Sequence, residues 1–212
     1  MKVGVLGSGQ VAKALGAGFA RHGHDVMLGS RSPEKLAEWA PEAGAGVSTG
    51  TFAEAAAFGE LVVLAVLGSA AEDVLDLAGA ENLAGKVVID TTNPLDHSGD
   101  GPPGLFVGFD DSLGERVQRR IRDSRVVKAF NTVGNAYMVD PDLPGGPPTM
   151  MIGGDDPAAK ATVTEILEDF GWEVSDLGGI DASRVLEPVC IAWVRHGIAS
   201  GSWDHAFRIL SA

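Results

Sequence analysis

The chain has 212 residues, 45% of them apolar, and its 16 Lys and Arg against 29 Asp and Glu give a formal charge of −13. That length holds one substantial core, or one core with a small annex, and the acidic balance argues against nucleic acid or an anionic membrane as a partner, since both demand a basic surface. A single cysteine, Cys190, excludes an intrachain disulfide, and no apolar run reaches the length that spans a membrane. A strand that begins directly after Met1 leaves no room for a signal peptide, so a cytoplasmic location is expected.

The first predicted strand, residues 2–6, runs straight into Gly7-Ser8-Gly9-Gln10-Val11-Ala12, and the residues after it carry apolar positions at helical spacing. This is the context in which a glycine fingerprint binds a dinucleotide. Gly7 allows the tight turn, Gly9 lets the backbone approach a pyrophosphate, and Ala12 lets helix and strand pack closely. Gly7, Ser8, Gly9, Gln10 and Val11 are therefore the expected pyrophosphate contacts, with the amides at the helix start holding the anion. The competing reading is an ordinary glycine-rich turn.

The second predicted strand, residues 25–28, leads into Gly29-Ser30-Arg31-Ser32-Pro33-Glu34-Lys35. A site specific for NAD places an Asp or Glu near here for the ribose hydroxyls, whereas an Arg accommodates a 2′-phosphate. No acid stands at this strand end, and Ser30, Arg31 and Lys35 together suit one phosphate, so NADP is the expected cofactor. Ser32-Pro33-Glu34 can cap the next helix at the same time.

Further strands are expected at residues 61–66, 86–90, 125–129, 149–153 and 172–176, with helical stretches between most of them. The alternation describes an α/β chain: a doubly wound (Rossmann) parallel sheet over residues 1–180. Residues 96–111 and 140–148, rich in Gly, Pro and Asp, are loops longer than a simple connection requires. Residues 181–212 read as a short C-terminal helical annex. It has one helix over 182–199, with Leu186, Val189, Cys190, Trp193 and Val194 on an apolar stripe, and a short terminal helix over 203–210. A stripe with no downstream domain to cover it suggests a homodimer; a helix packed on its own sheet gives the same periodicity.

Ligands of such sheets lie outside the carboxyl ends of the strands. Val66 and Leu67 would border the nicotinamide, and Asn93, Pro94, Asn131, Thr132 and Val133 would line the pocket of a hydride acceptor. Taken singly, Asn and Thr at these turns also read as helix caps. No Lys, His or Tyr is placed at a strand end beside an acid, so no residue is assigned to proton transfer. His97, in a Gly/Asp/Pro loop, reads as solvated; His22 and His24 flank a helix end, and His196 and His205 show no ligand spacing. No metal site is expected, and Cys190 reads as core.

Val5-Leu6-Gly7-Ser8-Gly9, Gly29-Ser30-Arg31, Asn93-Pro94-Leu95, Val127-Lys128-Ala129-Phe130-Asn131-Thr132 and Ile152-Gly153-Gly154-Asp155-Asp156 together resemble the coenzyme F420-dependent NADP oxidoreductase family. The resemblance implies that Ser30, Arg31 and Lys35 hold the NADP phosphate, and that a dimer stacks a deazaflavin against the nicotinamide. Hydride would then pass directly between ring faces. At Asn131 that family would carry a His. The Ala-Phe-Asn-Thr turn is more similar to the reductase domain of transmembrane metalloreductases, which pass electrons from NADPH to a flavin. The expected function is thus NADPH-dependent hydride transfer with F420 or another flavin-like ring. Reduction of a small imine or carbonyl, or a non-enzymatic NADP-binding redox sensor, are the alternatives.

Overall fold

Short runs dominated by Val, Ile and Leu become strands, because branched side chains fit the pleated surface. The computed structural model describes residues 1–99 and 101–211. The strands are β1 (Lys2–Leu6), β2 (Asp25–Gly29), β3 (Val47–Gly50), β4 (Leu61–Leu64), β5 (Val87–Asp90), β6 (Leu95–Asp96), β7 (Gly104–Leu105), β8 (Arg125–Lys128), β9 (Thr149–Gly154) and β10 (Glu173–Asp176). The helices are α1 (Gln10–Arg21), α2 (Trp39–Ala43), α3 (Phe52–Phe58), α4 (Ala71–Ala78), α5 (Ala80–Leu83), α6 (Leu113–Arg120), α7 (Pro157–Asp169) and α8 (Ser183–Ser200).

All but β6 and β7, which form a small hairpin, join one eight-stranded sheet in the order β10-β9-β8-β5-β4-β1-β2-β3. The chain builds outward from β1 to β2 and β3, then returns to the other side of β1 with β4 and β5. The order therefore reverses between β1 and β4, and a crevice opens at their carboxyl ends. Every pairing in this sheet is parallel except β8 with β9, whose register sets Lys128 opposite Gly153.

Leu61, Val62, Val63 and Leu64 are all buried, as a strand covered by helices on both faces requires. Three strands escaped the sequence reading: the two-residue β6 and β7, at the segment expected as a loop, and β3. Val47–Gly50 has a single large apolar residue, and as an edge strand it needs no apolar run: it pairs only with β2, Val47 opposite Val26.

The C-terminal segment corrects two expectations. The helix expected over 182–199 is present as α8, but Leu186, Cys190 and Trp193 of its stripe are buried, and the helix packs on β9 and α6. These three are covered by their own chain, while Val189 and Val194 of the stripe are half-buried. The short terminal helix over 203–210 is absent; this stretch has no regular secondary structure. Phe207 O accepts from Thr149 N at 2.9 Å, and Ile209 N donates to Thr149 Oγ1 at 3.0 Å. Trp193 Nε1 donates to His205 O at 3.0 Å. Hydrogen bonds to the start of β9 and to α8 thus occupy three backbone groups that a helix would use for itself.

Candidate functional site

A cleft of about 630 Å³ lies across the carboxyl ends of β2, β1, β4 and β5. Its floor at β1 is main chain. Gly7 sits at φ 150°, and a Cβ there would meet Ala65 O at 2.1 Å. The turn is therefore closed to any other residue. Gly9 is different: a Cβ on it would meet nothing within 4 Å, because it faces the open cleft. The first bond of α1 runs from Lys13 N to Gly9 O at 3.0 Å, so the preceding amides have no carbonyl partner within the helix. A glycine that leaves room beside free amides is the cradle that a pyrophosphate fills.

At the β2 end, Ser30, Arg31, Ser32 and Lys35 line the same cleft. Ser32 N donates to Ser30 Oγ at 3.1 Å, which fixes the hydroxyl oxygen and leaves its proton free to donate. A single 3₁₀ turn, Pro33–Leu36, brings Lys35 to the same cleft as Arg31; Ser32 precedes it without a side-chain cap. Arg31 and Lys35 are exposed, and among the described residues neither is in an ion pair. No carboxylate of β2 or of the turn after it lines the cleft. The cation pair fits a phosphate monoester there.

The far end is lined by Ala65, Val66, Leu67, Gly68, Ser69 and Ala70 after β4 and by Thr91, Thr92 and Asn93 after β5. The two turns touch: a Cβ on Gly68 would meet Asn93 O at 2.0 Å. Every residue expected to hold the dinucleotide, namely Gly7, Ser8, Gly9, Gln10, Val11, Ser30, Arg31, Lys35, Val66 and Leu67, lines this one cleft.

The expected acceptor residues divide. Asn93 lines the cleft, whereas Pro94, Asn131, Thr132 and Val133 are buried behind it. Phe130 adopts φ 62°, a left-handed turn, and Asn131 follows it into a clamp. Asn131 Nδ2 donates to Asn93 Oδ1 at 3.1 Å and to Leu186 O at 2.9 Å, and Asn93 Nδ2 donates to Asn131 O at 2.8 Å. Asn131 thus braces Asn93 from behind the cleft, and much of Asn93's own hydrogen-bonding capacity is spent on the clamp. Sequence reading also missed cleft residues on helices and on the small hairpin: Phe52, Asp73, Leu77 and Leu95, and with them His97. His97 is exposed but stands at the cleft.

One reading is overturned outright. A lysine does stand at a strand end beside acids: Lys128 Nζ donates to Asp90 Oδ2 and to Glu187 Oε1, each at 2.9 Å, and all three side chains are fully buried. Burial alone would pull the lysine pKa down, but the two facing carboxylates outweigh it and raise it above the ordinary value. Asp90 Oδ1 also accepts from Thr92 N at 2.9 Å and from Thr92 Oγ1 at 2.7 Å. Glu187 accepts from Leu113 N at 3.0 Å and Gly114 N at 2.9 Å, the first amides of α6. A signal existed: Asp90 and Lys128 end two neighbouring apolar strands and are register partners. Glu187, on a helix far along the chain, gave none.

Outside the cleft, the Cys190 thiol is pushed up to about 11 by burial, as suits a core residue. His196 and His205, separate in the sequence reading, meet with ring centroids 4.5 Å apart. Among the described residues no group of His, Cys, Asp and Glu could hold a metal ion, and no helix is long and apolar enough to cross a membrane.

The family described as NADP oxidoreductase, coenzyme F420-dependent, matches residues 2–94. A structure from Arthrobacter sp. FB24, described as a candidate F420-dependent NADP-reductase, is 40% identical with a TM-score of 0.95, and covers 100% of both chains. The chain belongs to the F420-dependent NADP oxidoreductase family. The F420-dependent NADP reductase of Methanocaldococcus jannaschii is 28% identical over 200 residues, 89% of each protein. The metalloreductase STEAP3 of Rattus norvegicus is 30% identical over 189 residues, 89% of this chain; the chain spans 36% of that protein's length. Members of this family are oxidoreductases, and the mixed sheet with its short C-terminal helix is the architecture shared with the Arthrobacter protein.

Proposed function

We propose that the chain is an NADPH-dependent oxidoreductase that transfers a hydride between NADP(H) and coenzyme F420 or another flavin-like ring. The observation that carries this reading is the single cleft that collects the glycine turn, the free helix amides and the Arg31/Lys35 pair. Gly7, Ser8, Gly9, Gln10 and Val11 take the pyrophosphate. Ser30, Arg31 and Lys35 take the 2′-phosphate, with Arg31 offering its fork of donors to the oxygens. Sheet order then sets the direction of the molecule. The β2 and β5 ends are three strand spacings apart, about 14 Å, so a dinucleotide anchored at β2 and β1 reaches the β4 and β5 turns with its nicotinamide.

There the ring would lie against Val66, Leu67, Thr91, Thr92 and Asn93. The reaction balances as NADPH, a proton and the oxidised ring giving NADP⁺ and the dihydro ring, with the proton from solvent. The protein contributes position: it holds two ring faces together, which is where most of the rate for such a transfer arises. Asn131 serves as a brace for Asn93.

The test is stopped-flow mixing of the NADPH-loaded protein with F420, FMN, FAD and riboflavin, following nicotinamide absorbance. Fast oxidation by one of these rings is the expected result and names the acceptor. Tight NADPH binding with no turnover on any of them, or turnover on small imines instead, would overturn the reading.

A further inference from the structure

Behind the β5 end of the cleft lies charge that the proposed reaction does not consume. Asp90, Lys128 and Glu187 form a trio with two carboxylates and one ammonium, all fully buried. Each carboxyl receives donors only, the pattern of an ionised group. The formal sum is one negative charge. The first amides of α6 offset part of it, since a helix N-terminus carries about half a positive charge. A net negative charge therefore remains in a site that water does not screen. Thr92 links it to the cleft: the threonine lines the cleft and gives both its amide and its hydroxyl to Asp90.

We propose that this trio tunes the cofactor's redox balance by favouring the oxidised nicotinamide, so that Glu187, Lys128 and Asp90 are positioning residues with an electrostatic role. The inference rests on the proposed binding of NADP(H) in this cleft. Loss of a hydride, two electrons and a proton, takes the nicotinamide from neutral to cationic. A fixed negative charge behind the ring binds the cation better than the neutral form, and this biases the bound pair toward hydride donation. Asp73, exposed on α4 at the cleft, acts in the same sense but is solvated, whereas the trio is held dry. Arg31 and Lys35 lie at the opposite end and act equally on both redox forms.

The charge has an ordering role as well. Lys128 ties β5 to β8, and Glu187 ties both to α6 and α8. A purely structural trio, on being loosened, would weaken NADPH and NADP⁺ alike. An electrostatic one changes their ratio. The ratio is the readout.

The experiment titrates the wild-type protein and the Glu187→Gln, Glu187→Asp and Asp90→Asn variants with NADPH and NADP⁺ separately, by fluorescence or calorimetry, with no acceptor present. Glu187→Gln removes one buried negative charge and should weaken NADP⁺ relative to NADPH by about four- to sixteenfold, the size expected for a unit charge acting over roughly 10 Å through an effective dielectric of about 20 to 40. Glu187→Asp keeps the charge and should keep the wild-type ratio, even where both affinities fall. Asp90→Asn reads the same charge from the other side and serves if Glu187→Gln does not fold. An unchanged ratio in the folded charge-removing variant overturns the inference, as does an equal shift in Glu187→Asp. A wild-type protein that binds neither form overturns the proposed function instead.

Discussion

At the β2 and β1 end of the cleft the groups offered to a ligand are main-chain amides, a glycine with open space beside it, and two solvated cations. At the β5 end a wall of small polar residues is held from behind by buried side chains: Thr92 by Asp90, Asn93 by Asn131, and Asp90 by Lys128, which Glu187 holds in turn. The first end is built from contiguous sequence and has little to lose if a side chain is removed. The second joins residues from β5, β8 and α8 and depends on every partner. Binding an anion needs exposed donors close together in the chain. Placing a flat ring needs a rigid wall, and rigidity comes from tertiary contacts.

The strongest way to break this contrast is at Lys128. Lys128→Met leaves two buried carboxylates without their counter-ion and should destabilise the fold by about 3–5 kcal/mol, measured by urea unfolding at neutral pH. Because the lysine pKa is raised in the folded protein, its contribution is fully present below the ordinary lysine value of 10.5 and is lost as pH rises past it. The wild-type protein should therefore lose stability in strong alkali, and the Met variant should lack that part of the fall. A Met variant as stable as wild type would mean that the trio does not hold the wall.

The glycine turn sharpens the comparison from the other side. Gly7→Ala places a Cβ at φ 150° against Ala65 O and should lower stability by about 2–3 kcal/mol. Gly9→Ala meets open space and should cost about 1 kcal/mol or less as an altered helix cap, while NADPH affinity drops sharply. Thermal unfolding beside a binding titration separates the two. Unimpaired NADPH binding by Gly9→Ala would remove the pyrophosphate from this turn.

Arg31→Ala tests the solvated cations. It should leave stability untouched and weaken NADPH by roughly 1.5–3 kcal/mol, the range for hydrogen bonds to a charged group, while NADH binding barely changes. Equal losses for both cofactors would show that Arg31 does not read the 2′-phosphate.

The smallest effect is expected at His97, which stands at the cleft but is exposed. His97→Ala should leave turnover within a few-fold, whereas loss of a true general acid or base costs about a hundredfold or more. A collapsed rate with folding and NADPH affinity intact would make the hairpin that carries His97 part of the chemistry.

Local signals were enough to bring together the residues at the β2 and β1 end of the cleft. A short apolar run, Gly7 and Gly9 in register, and Ser30-Arg31 with no acid at the next strand end each state their backbone or charge requirement within a few residues, so residue type alone reports them. The central strands were legible for the same reason, since a strand buried on both faces must be apolar throughout. Val47–Gly50 was not, because an edge strand carries no such demand, and the residues at 203–210 were misread because hydrogen bonds to Thr149 and Trp193, far away in sequence, replaced helical ones. Asn131 looked like a ligand-facing residue until the left-handed turn at Phe130 directed it against Asn93 and Leu186. The Asp90–Lys128–Glu187 trio lies furthest from any local signal. Its members are separated by 38 and 59 residues, and their burial and mutual contact exist only once β5, β8 and α8 are packed together. Charge and conformational preference are written residue by residue; which charges meet in a dry interior is decided by how the layers pack.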